Sequence, residues 1–142
     1  MRTYVDTSFL ISLYSLDTNS AAAARVMKSS TGEHLVSTLC ELEVANALQL
    51  RVFRKEVSPV QARSSAAAFE KDLREGIFQL QPLTEQAFEK ARQLSLENTA
   101  RLGTRTADLL HVAAALDLRA DRLYTFDQQQ RKLAQALRLK LN

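Results

Sequence analysis

Two aspartates of this sequence stand directly after short apolar stretches that are predicted to be β-strands. Asp6 ends such a stretch near the N-terminus, and Asp127 ends another near the C-terminus. Two further acids, Glu43 and Asp108, stand early on predicted helices. The carboxyl ends of parallel strands share one edge of a sheet, and ligands bind in the crevice beyond that edge. These four carboxylates from distant parts of the chain are therefore predicted to meet there.

Four clustered carboxylates favour a bound divalent cation. Like charges repel and are costly to desolvate, and a cation relieves both penalties. Ligands that are all oxygen favour the hard ions Mg²⁺ or Mn²⁺. A metal held in this way can activate water against a phosphodiester and stabilise charge on the leaving oxygen. The sequence offers no convincing phosphate-binding loop, serine triad or zinc site as an alternative.

Each of these acids also has a purely structural interpretation. Asp6 and Asp127 are well placed to cap the helices that follow them. Asp108 is favoured in the first turn of a helix by the helix dipole. Glu43 is compatible with an exposed position, as Glu41 is, and helical periodicity does not distinguish the two. The residue pattern alone leaves both interpretations open.

The elements that must position these acids alternate along the chain. Three glycines and two prolines in 142 residues predict long helices joined by short turns. Strands are predicted at residues 2–6, 34–37, 77–81 and 122–125, with a further edge strand at 138–140, and helices at 8–16, 20–30, 39–54, 58–75, 84–102, 107–118 and 128–137. This alternation predicts an α/β protein with a three-layer α/β/α fold and a central, mainly parallel sheet.

Length and composition predict one globular domain that spans residues 1–142. Hydrophobic residues make up 46% and charged residues 25% of the chain, which is ordinary for a folded domain. Cys40 is the only cysteine, so no intramolecular disulfide is possible. The longest apolar stretch, residues 109–116, is too short to span a bilayer, and the N-terminus does not resemble a signal peptide. A cytoplasmic location is therefore expected.

The net charge of +3 is weak evidence for a nucleic-acid partner, but its distribution adds to it. No acid follows Asp127, whereas the final predicted helix carries Arg131 and Lys132. For this stretch alone, a solvated basic helix is the better explanation. Arg105, in the loop before Asp108, is a further candidate contact, because a guanidinium suits phosphate. Arg105, Arg131 and Lys132 are kept as candidate nucleic-acid contacts.

Four motifs, in order along the chain, resemble those of PIN-domain proteins. The first is an apolar strand that ends in aspartate and a hydroxyl pair, and the third is an acid at the start of an alanine-rich helix. The fourth is a strand that ends in Thr-x-Asp. The motifs are Tyr4-Val5-Asp6-Thr7-Ser8-Phe9-Leu10-Ile11, Glu43-Val44-Ala45-Asn46-Ala47-Leu48, Thr106-Ala107-Asp108-Leu109-Leu110-His111-Val112-Ala113-Ala114-Ala115-Leu116 and Leu123-Tyr124-Thr125-Phe126-Asp127. The second motif selects Glu43 over Glu41.

The resemblance implies a PIN-like fold and endonucleolytic cleavage of structured RNA, either transfer or ribosomal RNA. It implies that Asp6, Glu43 and Asp108 bind Mg²⁺ or Mn²⁺, and that Asp127 does so directly or through water. It also implies supporting residues around this pocket, which are Ser8, Asn46 and Thr125. His111, one turn after Asp108, is expected to be hydrogen-bonded behind the pocket or within the helix layer rather than to act as a metal ligand or general base.

The length of the chain is most like that of VapC-type toxins within this family. That likeness implies a small antitoxin encoded next to the protein, which silences the nuclease, and a homodimer formed through helix faces. Two other functions stay open. One is a PIN-type nuclease without an antitoxin that acts on other RNA or on DNA. The other is a non-catalytic nucleic-acid-binding module whose acids are structural.

Overall fold

The structure is a computed structural model that describes residues 1–142. Helices and strands alternate almost throughout the chain. The elements are β1 (Arg2–Val5), α1 (Thr7–Tyr14), α2 (Ser20–Ser29), β2 (Glu33–Ser37), α3 (Thr38–Phe53), α4 (Pro59–Arg74), β3 (Gln79–Gln81), α5 (Glu85–Leu102), α6 (Thr106–Asp117), β4 (Arg122–Tyr124), α7 (Gln128–Ala136) and β5 (Lys140–Leu141).

The five strands form one sheet in the order β3-β2-β1-β4-β5, and every neighbouring pair is parallel. The chain builds outward from β1 to β2 and β3 on one side, and then continues on the other side with β4 and β5. The strand order therefore reverses between β1 and β4, which is where ligands bind in open parallel sheets. The predicted α/β fold with a mainly parallel sheet is confirmed.

Helices cover both faces of this sheet. Thr3, Tyr4 and Val5 of β1 are all buried, although successive side chains of a strand point to opposite faces. The helices pack in two groups, α1 to α4 and α5 to α7. The sheet lies between them as the middle layer of the predicted α/β/α arrangement. None of the helices combines the length and apolar character needed to cross a membrane.

Short-range signals in the sequence define the ends of several helices. Ser58 caps α4 by accepting the Gln61 N–H at 3.1 Å, and Thr84 caps α5 by accepting the Ala87 N–H at 3.0 Å. Gly103 ends α5 with a left-handed φ of 68°, a conformation that glycine adopts without steric cost. This turn reverses the chain and leads it into α6, which carries Asp108.

Most element boundaries differ from the prediction by one or two residues, and strand β3 begins at Gln79 rather than at residue 77. Two of these shifts have a clear local cause. The edge strand is Lys140–Leu141 rather than residues 138–140, because Arg138 has a φ of 61° and cannot extend a strand. Helix α6 begins at Thr106 rather than at residue 107. The preceding Arg105 N–H is satisfied by the Asp108 carboxylate at 3.0 Å, which fixes the start of the helix one residue earlier.

Candidate active site

All four acids selected from the sequence line one pocket of about 670 Å³ at the carboxyl edge of the sheet. Asp6 follows β1, Asp127 follows β4, and Glu43 and Asp108 reach the pocket from α3 and α6. The pocket opens where the strand order reverses, so topology and chemistry single out the same place.

Asp6 lies at the floor of this pocket and is fully buried. Its Oδ1 accepts the Phe9 N–H at 3.0 Å, which makes Asp6 the N-cap of α1. The Ser8 hydroxyl donates to Oδ1 and Oδ2 at 2.8 and 3.0 Å, and the Thr125 hydroxyl donates to Oδ2 at 2.8 Å. Ser8 and Thr125 therefore fix this carboxylate between β1 and β4.

Burial raises the pKa of Asp6 above its ordinary value, although the positive charge of His111 and the donors Phe9, Thr125 and Ser8 act in the opposite direction. Taking a carboxylate out of water disfavours its charged form unless a cation compensates. The site is therefore one in which a bound cation would stabilise the charged form of Asp6.

Asp127 and Asp108 each accept hydrogen bonds at the start of a helix with one carboxylate oxygen. The other oxygen of each accepts none. Asp127 Oδ1 caps α7 by accepting the N–H groups of Gln129 and Gln130 at 2.9 and 3.0 Å. Asp108 Oδ2 accepts the Arg105 N–H at 3.0 Å, and the Asp108 side chain is only 4% exposed. The caps expected from the structural interpretation are therefore present, but they occupy one oxygen of each acid and leave the other free.

Glu43 enters the pocket from α3, whereas Glu41 is exposed and does not line it. Glu43 Oε1 accepts a hydrogen bond from the Thr7 hydroxyl at 2.8 Å and another from His111 Nε2. Burial alone raises the pKa of Glu43, but the hydrogen bond and charge of His111 and the Thr7 donor outweigh it and lower that pKa. Glu43 is therefore held as a carboxylate.

Arg105 is the cationic partner of Asp108 and Asp127. Its Nε lies 3.7 Å from Asp108 Oδ2 and its Nη2 lies 4.0 Å from Asp127 Oδ2. The Arg105 side chain is 77% exposed, so these pairs are weak. A guanidinium in this position partly neutralises the pocket from its solvent side.

The donor chemistry of the pocket fits a hard divalent cation. Each ionised carboxylate offers about four acceptor positions, and Asp108 Oδ1, Asp127 Oδ2 and Glu43 Oε2 accept no hydrogen bond. Oxygen donors of this kind are those that Mg²⁺ and Mn²⁺ prefer. No three of these side chains converge closely enough to form a preassembled ligand set, so metal binding would draw the acids together.

Four residues selected from the sequence do not line this pocket. Thr125 is buried against Asp6, and the other three lie elsewhere. Asn46 is exposed, and Ala47 lines the pocket at that turn of α3. The Arg131 guanidinium donates to the Thr125 carbonyl oxygen at 3.0 Å and to Asn142 Oδ1 at 3.3 Å, which ties α7 to the last residue of the chain. Lys132 is exposed on α7.

The pocket also contains charged residues that the sequence analysis did not select. Arg51, Arg54 and Asp17 line it. Arg51 Nη2 and Asp17 Oδ2 form an ion pair at 3.1 Å, whereas the side chain of Arg54 forms no hydrogen bond or ion pair. A helical spacing signal was available, since residues 47, 51 and 54 follow Glu43 at intervals that keep them near one face of α3.

Residues 3–136 match the family model described as PIN domain. A comparison with curated proteins found no match. The matched residues include all four acids of the pocket.

Several solved structures share this fold. One is the VapC20 toxin of Mycobacterium tuberculosis, described as cleaving the sarcin-ricin loop, with a TM-score of 0.70, 19% sequence identity and coverage of 92% of this chain and 93% of that chain. Another is VapBC2 from Rickettsia felis, bound to a DNA fragment from its promoter, with a TM-score of 0.68, 16% identity and coverage of 100% and 98%. A third is VapBC-1 from nontypeable Haemophilus influenzae, with a TM-score of 0.66, 18% identity and coverage of 100% and 97%. At these identities the likeness establishes the fold.

Proposed function

The chain belongs to the PIN-domain family, and from this premise we propose that it is a Mg²⁺- or Mn²⁺-dependent endoribonuclease, the toxin component of a toxin–antitoxin pair. Members of the family are nucleases. The observation that carries the proposal is the meeting of Asp6, Glu43, Asp108 and Asp127 in one pocket at the reversal of strand order. We further propose that residues 1–142 act as a single domain in the cytoplasm.

Asp6, Glu43 and Asp108 would hold the metal, with Asp127 binding it directly or through water. When bound, the metal would supply an activated water and stabilise charge on the leaving oxygen of a phosphodiester. Ser8 and Thr125 orient Asp6 by donating to its two oxygens. Asn46 is proposed to support the pocket from α3, although it must turn inward to do so.

The proposed substrate is structured RNA, either transfer or ribosomal RNA. A net charge of +3 favours association with a polyanion, since the acidic pocket is surrounded by a chain that is basic overall. Arg105 is the proposed contact nearest the acids, and Arg131 and Lys132 are proposed contacts on α7. One similar toxin is described as cleaving the sarcin-ricin loop, which makes ribosomal RNA the first substrate to try.

The proposed partner is a small antitoxin encoded next to the protein. Similar structures from Rickettsia felis and Haemophilus influenzae are VapBC complexes. A partner arginine can neutralise two carboxylates of the pocket at once, because a guanidinium offers two parallel donors. We also propose a homodimer formed through helix faces. Copurification with the neighbouring gene product should silence cleavage, and the partner's removal should restore it.

The direct test is RNA cleavage by the variant Asp108→Asn in the presence of Mn²⁺. Asparagine can still accept the Arg105 N–H, so the cap of α6 survives while the free oxygen becomes a nitrogen that cannot bind metal. We expect cleavage to be lost, Mn²⁺ binding measured by calorimetry to weaken, and thermal stability to change little. Glu41→Gln is the matched control, since Glu41 is exposed on the same helix as Glu43. Cleavage by Asp108→Asn at the wild-type rate would refute the proposal.

One observation favours the alternative of a nucleic-acid-binding module with structural acids. Asp6 and Asp127 both cap helices, so both acids have a role without any metal. The Mn²⁺ titration of the wild-type protein separates the two functions. A structural cluster would bind Mn²⁺ no better than the Asp108→Asn variant does.

A further inference from the structure

A chain of buried hydrogen bonds runs from β1 to the Glu43 carboxylate. Tyr4 Oη lies 2.8 Å from Ser37 Oγ and 3.0 Å from His111 Nδ1, and the other ring nitrogen of His111 contacts Glu43. Tyr4 is fully buried and His111 is 1% exposed. Tyr4 and His111 are 107 positions apart in the sequence, so only the packing of α6 against β1 brings them together.

The proton on the His111 ring can be assigned from its partners. A carboxylate only accepts hydrogen bonds, so His111 Nε2 must carry a hydrogen and donate it to Glu43 Oε1. The partner at one ring nitrogen restrains the orientation of the ring, and with it the direction of the bond at the other nitrogen. Tyr4 Oη is the closer partner of Nδ1, at 3.0 Å against 3.9 Å for Cys40 Sγ, and therefore contributes most to where the Nε2–H bond of His111 points.

Glu43 depends on few other contacts. Its side chain is 31% exposed, and its protein donors, His111 and Thr7, both act on Oε1. Oε2 accepts no hydrogen bond, so rotation of this long side chain out of the pocket is opposed mainly by the two bonds to Oε1. The imidazole is the buried and rigid member of the pair, whereas Thr7 is only partly buried.

From this geometry we infer that Tyr4 and His111 are positioning residues, which together hold the Glu43 carboxylate in the pocket with Oε2 free to bind a cation. The inference rests on the proposed function, in which Glu43 is a metal ligand. It adds that the orientation of the Glu43 carboxylate depends on Tyr4, a residue of β1 that does not line the pocket. Neither Tyr4 nor His111 contacts the substrate in this role.

Two substitutions at one position test this inference. The amide nitrogen of glutamine lies near the place of Nε2, so His111→Gln can still donate to Glu43. Asparagine is one carbon shorter and reaches only the place of Nδ1, so His111→Asn keeps Tyr4 as a partner but not Glu43. Both are neutral and polar, and both should lose similar thermal stability. Tyr4→Phe is a third variant, which removes only the hydroxyl.

We expect Mn²⁺ affinity, measured by calorimetry, to fall about tenfold in His111→Asn and to stay close to wild type in His111→Gln, because loss of a residue behind a metal ligand commonly costs that much. The Mn²⁺ affinity of Tyr4→Phe should lie between those of the two histidine variants. In His111→Asn, the kcat of RNA cleavage should decrease while KM stays unchanged. A crystal structure of metal-free His111→Asn should show the Glu43 carboxylate away from Thr7.

Equal loss of Mn²⁺ affinity in the asparagine and glutamine variants, in step with their melting temperatures, would overturn the inference and leave His111 as a packing residue. If the histidine variants do not fold, Tyr4→Phe decides, and wild-type Mn²⁺ affinity in that variant would equally overturn the inference. If the wild type neither binds Mn²⁺ nor cleaves RNA, the proposed function fails. The orientation of Glu43 in the metal-free crystals would then still decide whether His111 positions it.

Discussion

Arg105 Nη2 lies 4.0 Å from Asp127 Oδ2, so an exposed guanidinium of this chain stands where two pocket acids present their charge. The same side chain lies 3.7 Å from Asp108. A cation of the protein and a metal ion cannot both neutralise these oxygens fully. Arg105 is therefore expected to compete with the metal for the acids and to turn toward RNA phosphate once the metal is bound.

The first prediction is that Arg105→Ala changes metal and RNA binding in opposite directions. Mn²⁺ affinity should rise about two- to fivefold, because exposed ion pairs contribute only up to about 1 kcal/mol. RNA affinity should fall, and its dependence on salt should become shallower by about one counterion. Calorimetry and filter binding measure the two effects. Arg92→Ala is the control, since Arg92 pairs with Glu89 on the surface of α5 and should leave both affinities unchanged. A fall in Mn²⁺ affinity in Arg105→Ala would contradict this prediction.

The second prediction concerns the arginines of α3. Arg51 and Arg54 follow Glu43 by eight and eleven residues, which is about 12 and 16 Å along a helix axis. RNA held at the acids would therefore pass these arginines within a few nucleotides. Arg54 is the better probe because it has no protein partner, whereas Arg51 is bound to Asp17.

Arg54→Gln should weaken RNA binding across unrelated sequences and reduce the slope of log affinity against log salt by about 0.7 to 1. Lys132→Gln is the comparison, because Lys132 is exposed on α7 and does not line the pocket. It should reduce the slope less. A larger effect of Lys132→Gln would move the RNA path from α3 to α7.

The sequence predicted the elements of this fold because each boundary depends on residues close together in the chain. Thr84, Gly103 and the Ser58-Pro59 pair act on their own helix ends, and strands followed by aspartate locate the edge where the acids meet. The choice between Glu41 and Glu43 came from the family resemblance, because the phase of α3 relative to the pocket depends on packing.

Contacts between distant segments could not be predicted in the same way. The link from Tyr4 to His111 requires α6 to lie against β1, and the pair of Arg51 with Asp17 requires the end of α3 to meet the turn after α1. Arg131 illustrates the same limit. Its charge suggested RNA, but its guanidinium is hydrogen-bonded to the Thr125 carbonyl oxygen and to Asn142. Its proposed RNA contact must therefore compete with these bonds.

The third prediction concerns stability at acid pH and the pair of Asp17 with Arg51. Burial raises the pKa of Asp17, but hydrogen bonds from the Asn19 N–H, the Ser12 hydroxyl and Arg51, together with the charge of Arg51, outweigh it and lower that pKa. Because the folded state binds the proton of Asp17 less tightly than the unfolded state does, folding gains stability above the unfolded pKa. That gain is lost as the pH falls through about 4 and then through the lower folded value.

At pH 7 the free energy of unfolding of Asp17→Asn should therefore be lower than that of the wild type by about 1 kcal/mol or somewhat more, because the side chains of this pair are only 18% and 24% exposed. The variant should accordingly unfold at a lower urea concentration. This difference in the free energy of unfolding should shrink as the pH is lowered below about 4, because the wild-type carboxylate then becomes protonated and is neutral, as asparagine is. Urea titrations at several pH values measure it.

Glu89→Gln is the control, since the pair of Glu89 with Arg92 is 69% to 73% exposed and should contribute little at any pH. A difference between wild type and Asp17→Asn that stays constant from neutral to acid pH would mean that Asp17 acts as a neutral hydrogen-bonding group. The ion pair with Arg51 would then not be what fixes the end of α3 beside the pocket.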